Sequence, residues 1–196
     1  MRGGHASAQC WQCGNPCVAL MIRCRADLRA YLAADLAQAK RHNGINRWIP
    51  ILSAKRYPVL AWQRHLRRTE HRENVHGWWT PLLPLFVYRF VRHSIWLGFD
   101  IPRNVFGPGL SIAHWGSIIV NKNARIGPCA RVHPGTVIGE SNGQSPTIGE
   151  DVYLAPGSKI YGGITLGNRV ICGANCVVGR SFGDDVTLVG VPARKI

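Results

Sequence analysis

From Val120 onward large apolar residues return at every sixth position: Val120, Ile126, Val132 and Ile138, then, after four extra residues, Ile148, Leu154, Ile160, Leu166, Cys172 and Val178. A spacing of six belongs neither to a helix nor to an ordinary strand, whose side chains repeat at 3.6 and 2. Glycine directly follows six of these ten positions. A triangular coil of three short strands, about eighteen residues per turn, accounts for both features, because each face sends one apolar residue to the axis and each corner needs a tight turn. Ala124, Ala130, Thr136, Ser158 and Cys176 stand two positions earlier and are small, where bulk would meet the coil above. From Ile101 to Gly190 the chain holds nearly five such turns. An antiparallel sandwich would instead alternate with period two and signal a turn every 8 to 12 residues. The one break, Ser141-Asn142-Gly143-Gln144, is expected to form an exposed loop, a place where a rigid scaffold presents binding groups.

The first half follows a different pattern. Leu28, Tyr31, Leu32, Leu36 and Ala39 recur at three and four residues, with Asp27 near the start and Asn43-Gly44 past the end, which predicts an amphipathic helix over 25–41. A second, short helix is expected from Pro58, with Arg64, Arg67 and Arg68 as a basic face, and a third from about Leu82 to Leu97 before Gly98. The predicted organisation is a leader or misassigned start at 1–20, a helical region at 21–98 and a β-helix at 99–196 with a C-terminal tail.

Charge divides the same way. Lys and Arg number 24 against 10 Asp and Glu; residues 1–99 carry 15 basic and 4 acidic groups, residues 100–196 carry 9 and 6. Such an excess suits nucleic acid, an anionic membrane surface, a polyanionic cofactor or an acidic glycan, and equally a solvated basic face. The seven cysteines lack the pairing of a secreted disulfide scaffold and read as thiols of a cytoplasmic protein. Cys10, Cys13 and Cys17 fall short of a tetrahedral zinc set, and no metal is expected. The stretch before Arg23 is too short for a signal peptide, and Trp78 to Val91 is broken by Pro81, Pro84 and Arg89 and too short for a membrane span.

The segments FDIPRNVFGPGLSIAHWGSIIVNKNARIG, PTIGEDVYLAPGSKIYGGITLGNRVICGANCVVGRSF and VGVPARKI, within 99–196, resemble the hexapeptide-repeat acyltransferases and, among them, the serine acetyltransferase branch. The resemblance implies a mainly β fold, a left-handed parallel β-helix, and a homotrimer with active sites between subunits. It also implies acetyl-CoA as co-substrate. At the position of His114 the family carries the general base that takes the proton from the acceptor hydroxyl; a hydroxyl is a poor nucleophile at neutral pH, and such a base adds about 10²- to 10⁴-fold. His114 falls one step below Val120 in the six-residue register, where an aliphatic residue is otherwise expected. Asp100 resembles the carboxylate that orients the base, although the interval to His114 is one residue shorter than in the branch. His133 is a candidate acceptor-binding residue. Gly157, Gly173 and Ala174 are candidates for the pantetheine groove, and Arg194 and Lys195 for the phosphates of coenzyme A. Each has a plainer reading: a structural imidazole, a coil carboxylate, a surface His, corner glycines.

Two acceptor features of the branch are missing, since Ala113 replaces an Asp and SNGQSPT replaces a loop with an Arg-His pair. L-serine is the acceptor the branch implies, with a sugar or polysaccharide hydroxyl as the alternative. A γ-type carbonic anhydrase would need three imidazoles where the coil offers His114 and His133. A different class, a basic non-catalytic binding or scaffold trimer, would show salt-sensitive nucleic-acid binding, although no reader motif supports a nucleic-acid partner. Peripheral membrane contact would suit the basic, aromatic first half.

Overall fold

A computed structural model describes residues 21–43, 57–75 and 80–196. The expected leader at 1–20, with Cys10, Cys13 and Cys17, lies outside the described residues.

Helix α1 spans Arg25–Asn43. Asp27 reaches back to accept hydrogen bonds from the backbone N–H groups of Arg23 and Cys24 at 2.8 and 3.1 Å, and Lys40, Arg41 and His42 fill the last turn, where cations favour the helix dipole. Helix α2, Pro58–Asn74, starts on its proline and runs 17 residues, longer than the short helix expected. Helix α3, Leu83–Leu97, follows a 3-10 turn at Thr80–Leu82 and stops at Gly98, whose φ of 77° puts it in the left-handed region. Trp62 of α2 packs edge-on against Phe99 with ring centroids 4.9 Å apart, and its indole N–H donates to Ser94 at 2.8 Å.

One of the three arginines expected on the basic face of α2 is in the interior. Arg67 has no solvent exposure. Its guanidinium donates to Asp35 of α1 at 2.9 Å, to Glu70 at 3.1 Å and to the carbonyls of Phe106 and Gly107 at 2.9 and 2.6 Å. Asp35 in turn accepts from the backbone N–H groups of Gly109 and Leu110 at 2.8 and 2.9 Å, and Glu70 accepts from that of Asn104 at 2.7 Å. A buried cation is tolerated only when its donors are all used, and here one guanidinium joins both helices to the first coil. Burial raises the pKa of Glu70 despite the Arg67 charge beside it.

From Phe99 the chain winds into a parallel β-solenoid of about five turns. Face one stacks Phe99–Asp100, Ile118–Val120, Val137–Gly139, Lys159–Tyr161 and Val177–Val178. Face two stacks Arg125–Ile126, Thr147–Ile148 and Thr165–Leu166; face three stacks Ser111–Ile112, Arg131–Val132, Tyr153–Leu154, Ile171–Cys172 and Thr187–Val189. All these pairings are parallel; only Arg194–Lys195 turns back antiparallel on Thr187–Val189. The six-residue series is the axis: Ile126, Val132, Ile138, Leu154, Ile160, Cys172 and Val178 have no exposure. Val120 pairs with Ile138 and Leu154 with Cys172, eighteen residues on, whereas Ile126 pairs with Ile148 across the insertion. Small residues two positions earlier are not a requirement: Val152, Ile164 and Val170 occupy the same kind of position and are buried.

The insertion closes as a two-residue hairpin. Ser141 and Gln144 exchange backbone hydrogen bonds of 3.0 and 3.1 Å, with φ of 53° at Asn142 and 74° at Gly143, the signs of a type I′ turn.

His114 does not hold the register position expected of it. Ile112 pairs with Val132 and is buried, while His114 is exposed in the corner that follows. The first coil is longer than eighteen residues, since Ile112 and Val132 lie twenty apart, and its extra residues widen this corner.

Candidate active site along one edge of the coil

Each turn of the solenoid has a corner between face three and face one, and these corners stack into an edge. The backbone amide of Gly135 donates to Ser117 at 2.6 Å, that of Gly157 to Pro134 at 3.0 Å and that of Asn175 to Pro156 at 2.9 Å, so corners 113–117, 133–136, 155–158 and 173–176 follow one another along it. His114, His133, Gly157, Gly173 and Ala174 therefore lie on a single edge. The glycines have a packing reason of their own. Gly157 has φ of +75°, and a Cβ there would run into the Asn175 side chain; a Cβ on Gly173 would sit 3.0 Å from the Leu188 carbonyl. Ala174 is exposed on the same corner.

At the lower end of this edge the helices wall one side of a half-open cavity of about 400 Å³ beside His114. His42 at the end of α1, Tyr57 and Gln63 at the start of α2, and Trp115 and Arg131 of the coil share its wall with His114. Gln63 is fixed by donating to the Leu110 carbonyl at 2.6 Å. Arg131 points from face three, one residue before the inward Val132, and donates to the Ser111 hydroxyl at 3.0 Å. No Asp or Glu is among the described residues lining the cavity, and the sequence from Leu36 to Thr69 contains none. Burial, followed by the charges of Arg131 and Arg41, lowers the pKa of His42. Burial, then Arg131 and His114, lowers that of His133, whose Nε2 is buried without a hydrogen-bond partner and whose ring stands 5.0 Å from that of Tyr153. The cavity is positively polarised by the Arg131 guanidinium, and His42 in its wall is held towards its neutral form.

Asp100 lies on face one with its backbone aligned to Ile119, exposed, and no hydrogen bond among the described residues links its carboxylate to His114. At the other end of the coil the antiparallel return places Arg194 in the wall of a cleft of about 330 Å³ with Tyr161, Val177, Gly179, Arg180 and Pro192. Lys195 is exposed beside it, paired to Leu188. His42, Tyr57, Gln63, Arg131, Tyr161 and Arg180 escaped the sequence reading. Arg131 had a usable signal, an outward position one step from an axis residue; the cap residues had none, because no periodicity states which helix end lies over which corner. Among the described residues no group of three or more His, Cys, Asp or Glu converges as a metal cluster would require.

Residues 145–180 match the bacterial transferase hexapeptide family, described as six repeats. A serine acetyltransferase of Synechococcus elongatus is 31% identical over 121 residues, 59% of this chain and 49% of its own length. A serine acetyltransferase solved in complex with CoA superposes with a TM-score of 0.69 at 23% identity over 88% of this chain and 71% of that one. The soybean serine acetyltransferase complexed with serine gives 0.68 at 24% identity, over 87% and 70%. The chain spans about half the length of the Synechococcus relative. It carries the bacterial transferase hexapeptide repeat on the fold of these solved enzymes, and its sequence relatives are serine acetyltransferases.

Proposed function

We propose that the protein moves an acetyl group from acetyl-CoA to the hydroxyl of a small acceptor, L-serine first among them. One observation carries the reading: His114 and the glycine corners share one edge, with a half-open cavity at the His114 end. Three strand spacings separate the His114 corner from that of Gly173 and Ala174, about 14 Å, a length suited to an extended pantetheine arm. Arg194 and Lys195, at the far end of the coil, are the residues proposed to meet the phosphates of the coenzyme.

The thioester carbonyl lies at the His114 corner in this reading. The imidazole of His114 takes the proton of the acceptor hydroxyl as its oxygen attacks the carbonyl carbon. The tetrahedral adduct collapses with cleavage of the carbon–sulfur bond, and the imidazolium returns the proton to the departing thiolate. Asp100 is the residue proposed to orient the base, and it would have to turn towards His114 to do so. Arg131 is the cation proposed to receive an anionic group of the acceptor, the carboxylate in the case of L-serine, with His133 beside it. A sugar acceptor is favoured by one feature, a cavity roomier than a free amino acid requires and walled by Tyr57 and Trp115.

The test is release of coenzyme A thiol from acetyl-CoA against L-serine and nucleotide- or polysaccharide-linked sugars. Release with L-serine supports the first acceptor and release with sugars alone the second; no release with any of them removes the proposal. A homotrimer with sites between subunits fits the apolar residues exposed on the coil, Ile119, Tyr161 and Ile171, and light scattering on the purified chain measures it. A cytoplasmic setting fits Cys172 and Cys176, buried neighbours in the coil as thiols. No helix among the described residues is long and apolar enough to cross a membrane.

A further inference from the structure

Helix α3 turns its apolar side chains to solvent. Leu85, Tyr88, Ile95 and Trp96 are 55, 58, 73 and 69% exposed, while Phe90, Ser94 and Leu97 on the opposite side pack inward. Helical spacing places Arg89 and Arg92 on the same outer face. Neither meets a carboxylate among the described residues, and the sequence from Asn74 to Phe99 contains no Asp or Glu. Together with His65, His93 and Trp96 the two arginines outline an open hollow of about 510 Å³. Burial holds the His65 pKa down to about 4 and lowers that of His93, so at neutral pH the positive charge of the hollow is that of the arginines.

We propose that this face docks on a bilayer surface bearing anionic lipid headgroups, with Leu85, Tyr88, Ile95 and Trp96 entering the headgroup boundary and Arg89 and Arg92 meeting lipid phosphates. At 15 residues α3 is too short to span, so it lies in the plane of the surface. Aliphatic and aromatic side chains flanked by arginine, without a carboxylate, match such a boundary at every position. A two-fold contact with a second copy would bring Arg89 and Arg92 against their own counterparts with nothing on the helix to neutralise them. A nucleic acid would use the arginines and leave Leu85 and Ile95 in water.

The full chain is sedimented with vesicles of phosphatidylcholine alone and of phosphatidylcholine mixed with phosphatidylglycerol. It is expected to sediment with the mixed vesicles, to stay in solution with the neutral ones, and to be released by added salt. Ile95→Glu combined with Trp96→Glu lowers partition onto the mixed vesicles by about tenfold or more, and Arg89→Gln and Arg92→Gln by about fivefold each. Circular dichroism melts show whether the variants are folded; the arginine variants and the salt series keep the test decisive if the double glutamate variant is not. Failure to bind the mixed vesicles overturns the proposal, as does binding that survives the substitutions. A face variant that changes the oligomeric mass with unchanged vesicle binding assigns the face to a second copy, and duplex DNA binding lost with the arginines while vesicle binding is absent assigns it to nucleic acid.

Discussion

The coil and the helical cap are held together by opposite means. In the coil the same element recurs: an aliphatic residue on the axis at every sixth position, each stacked on its equivalent one turn away. In the cap one residue joins two helices and the first coil, because Arg67 supplies hydrogen bonds to Asp35, Glu70 and two backbone carbonyls at once. Repetition spreads stability over many similar contacts; a buried charge concentrates it in one. The cavity over His114 is built where the two regimes meet, so the placement of His42, Tyr57 and Gln63 depends on the concentrated one.

The sharpest way to break the comparison is at its single point. Arg67→Met removes the cation and leaves Asp35 and Glu70 buried without it, and is expected to lower stability by about 3–5 kcal/mol in urea unfolding. A loss no larger than that of a surface substitution would mean that the network does not hold the cap. Gly157→Ala forces a Cβ onto a left-handed backbone and displaces the Asn175 side chain; a loss of about 2–3 kcal/mol is expected from the same measurement. Arg131→Gln should leave the fold intact and raise KM for an anionic acceptor about tenfold, with little change for a neutral one. Ile126→Val, one methylene from a repeated stack, should cost only about 1 kcal/mol.

Acid separates the regions too. The half-buried imidazole of His65 resists protonation until about pH 4, whereas its ordinary value is 6.5. Below 6.5 the unfolded chain binds a proton there that the fold refuses, so the stability contributed by the neutral form is present above 6.5 and is lost as pH falls towards 4. The urea midpoint should fall across that window, and less steeply in His65→Leu.

What was legible in the sequence follows from the same contrast. Ile126, Val132 and Ile138 disclose the coil because one stereochemical requirement is repeated often enough to leave a period. The ends of α1, α2 and α3 were legible through Asp27, Pro58 and Gly98, whose roles are local. Arg67 was not legible, since its spacing from Arg64 and Arg68 looks like a solvated face and its partners lie 32 and 40 residues away in sequence. His114 shows both sides. Its flanking segment marked it as a candidate, yet its register was misjudged, because extra residues in the first corner break the period just where the cavity forms. Arg131 and the cap residues needed the third dimension, as nothing in the chain states which corner a helix will cover.

His114 is the group proposed to deprotonate the acceptor at the cavity end of the edge. Steady-state release of coenzyme A thiol by His114→Ala, paired with calorimetric binding of coenzyme A to the same variant, tests this most directly. The expected result is turnover reduced by about 10²- to 10⁴-fold with the coenzyme Kd essentially unchanged. Turnover within a few-fold of the parent protein would contradict it.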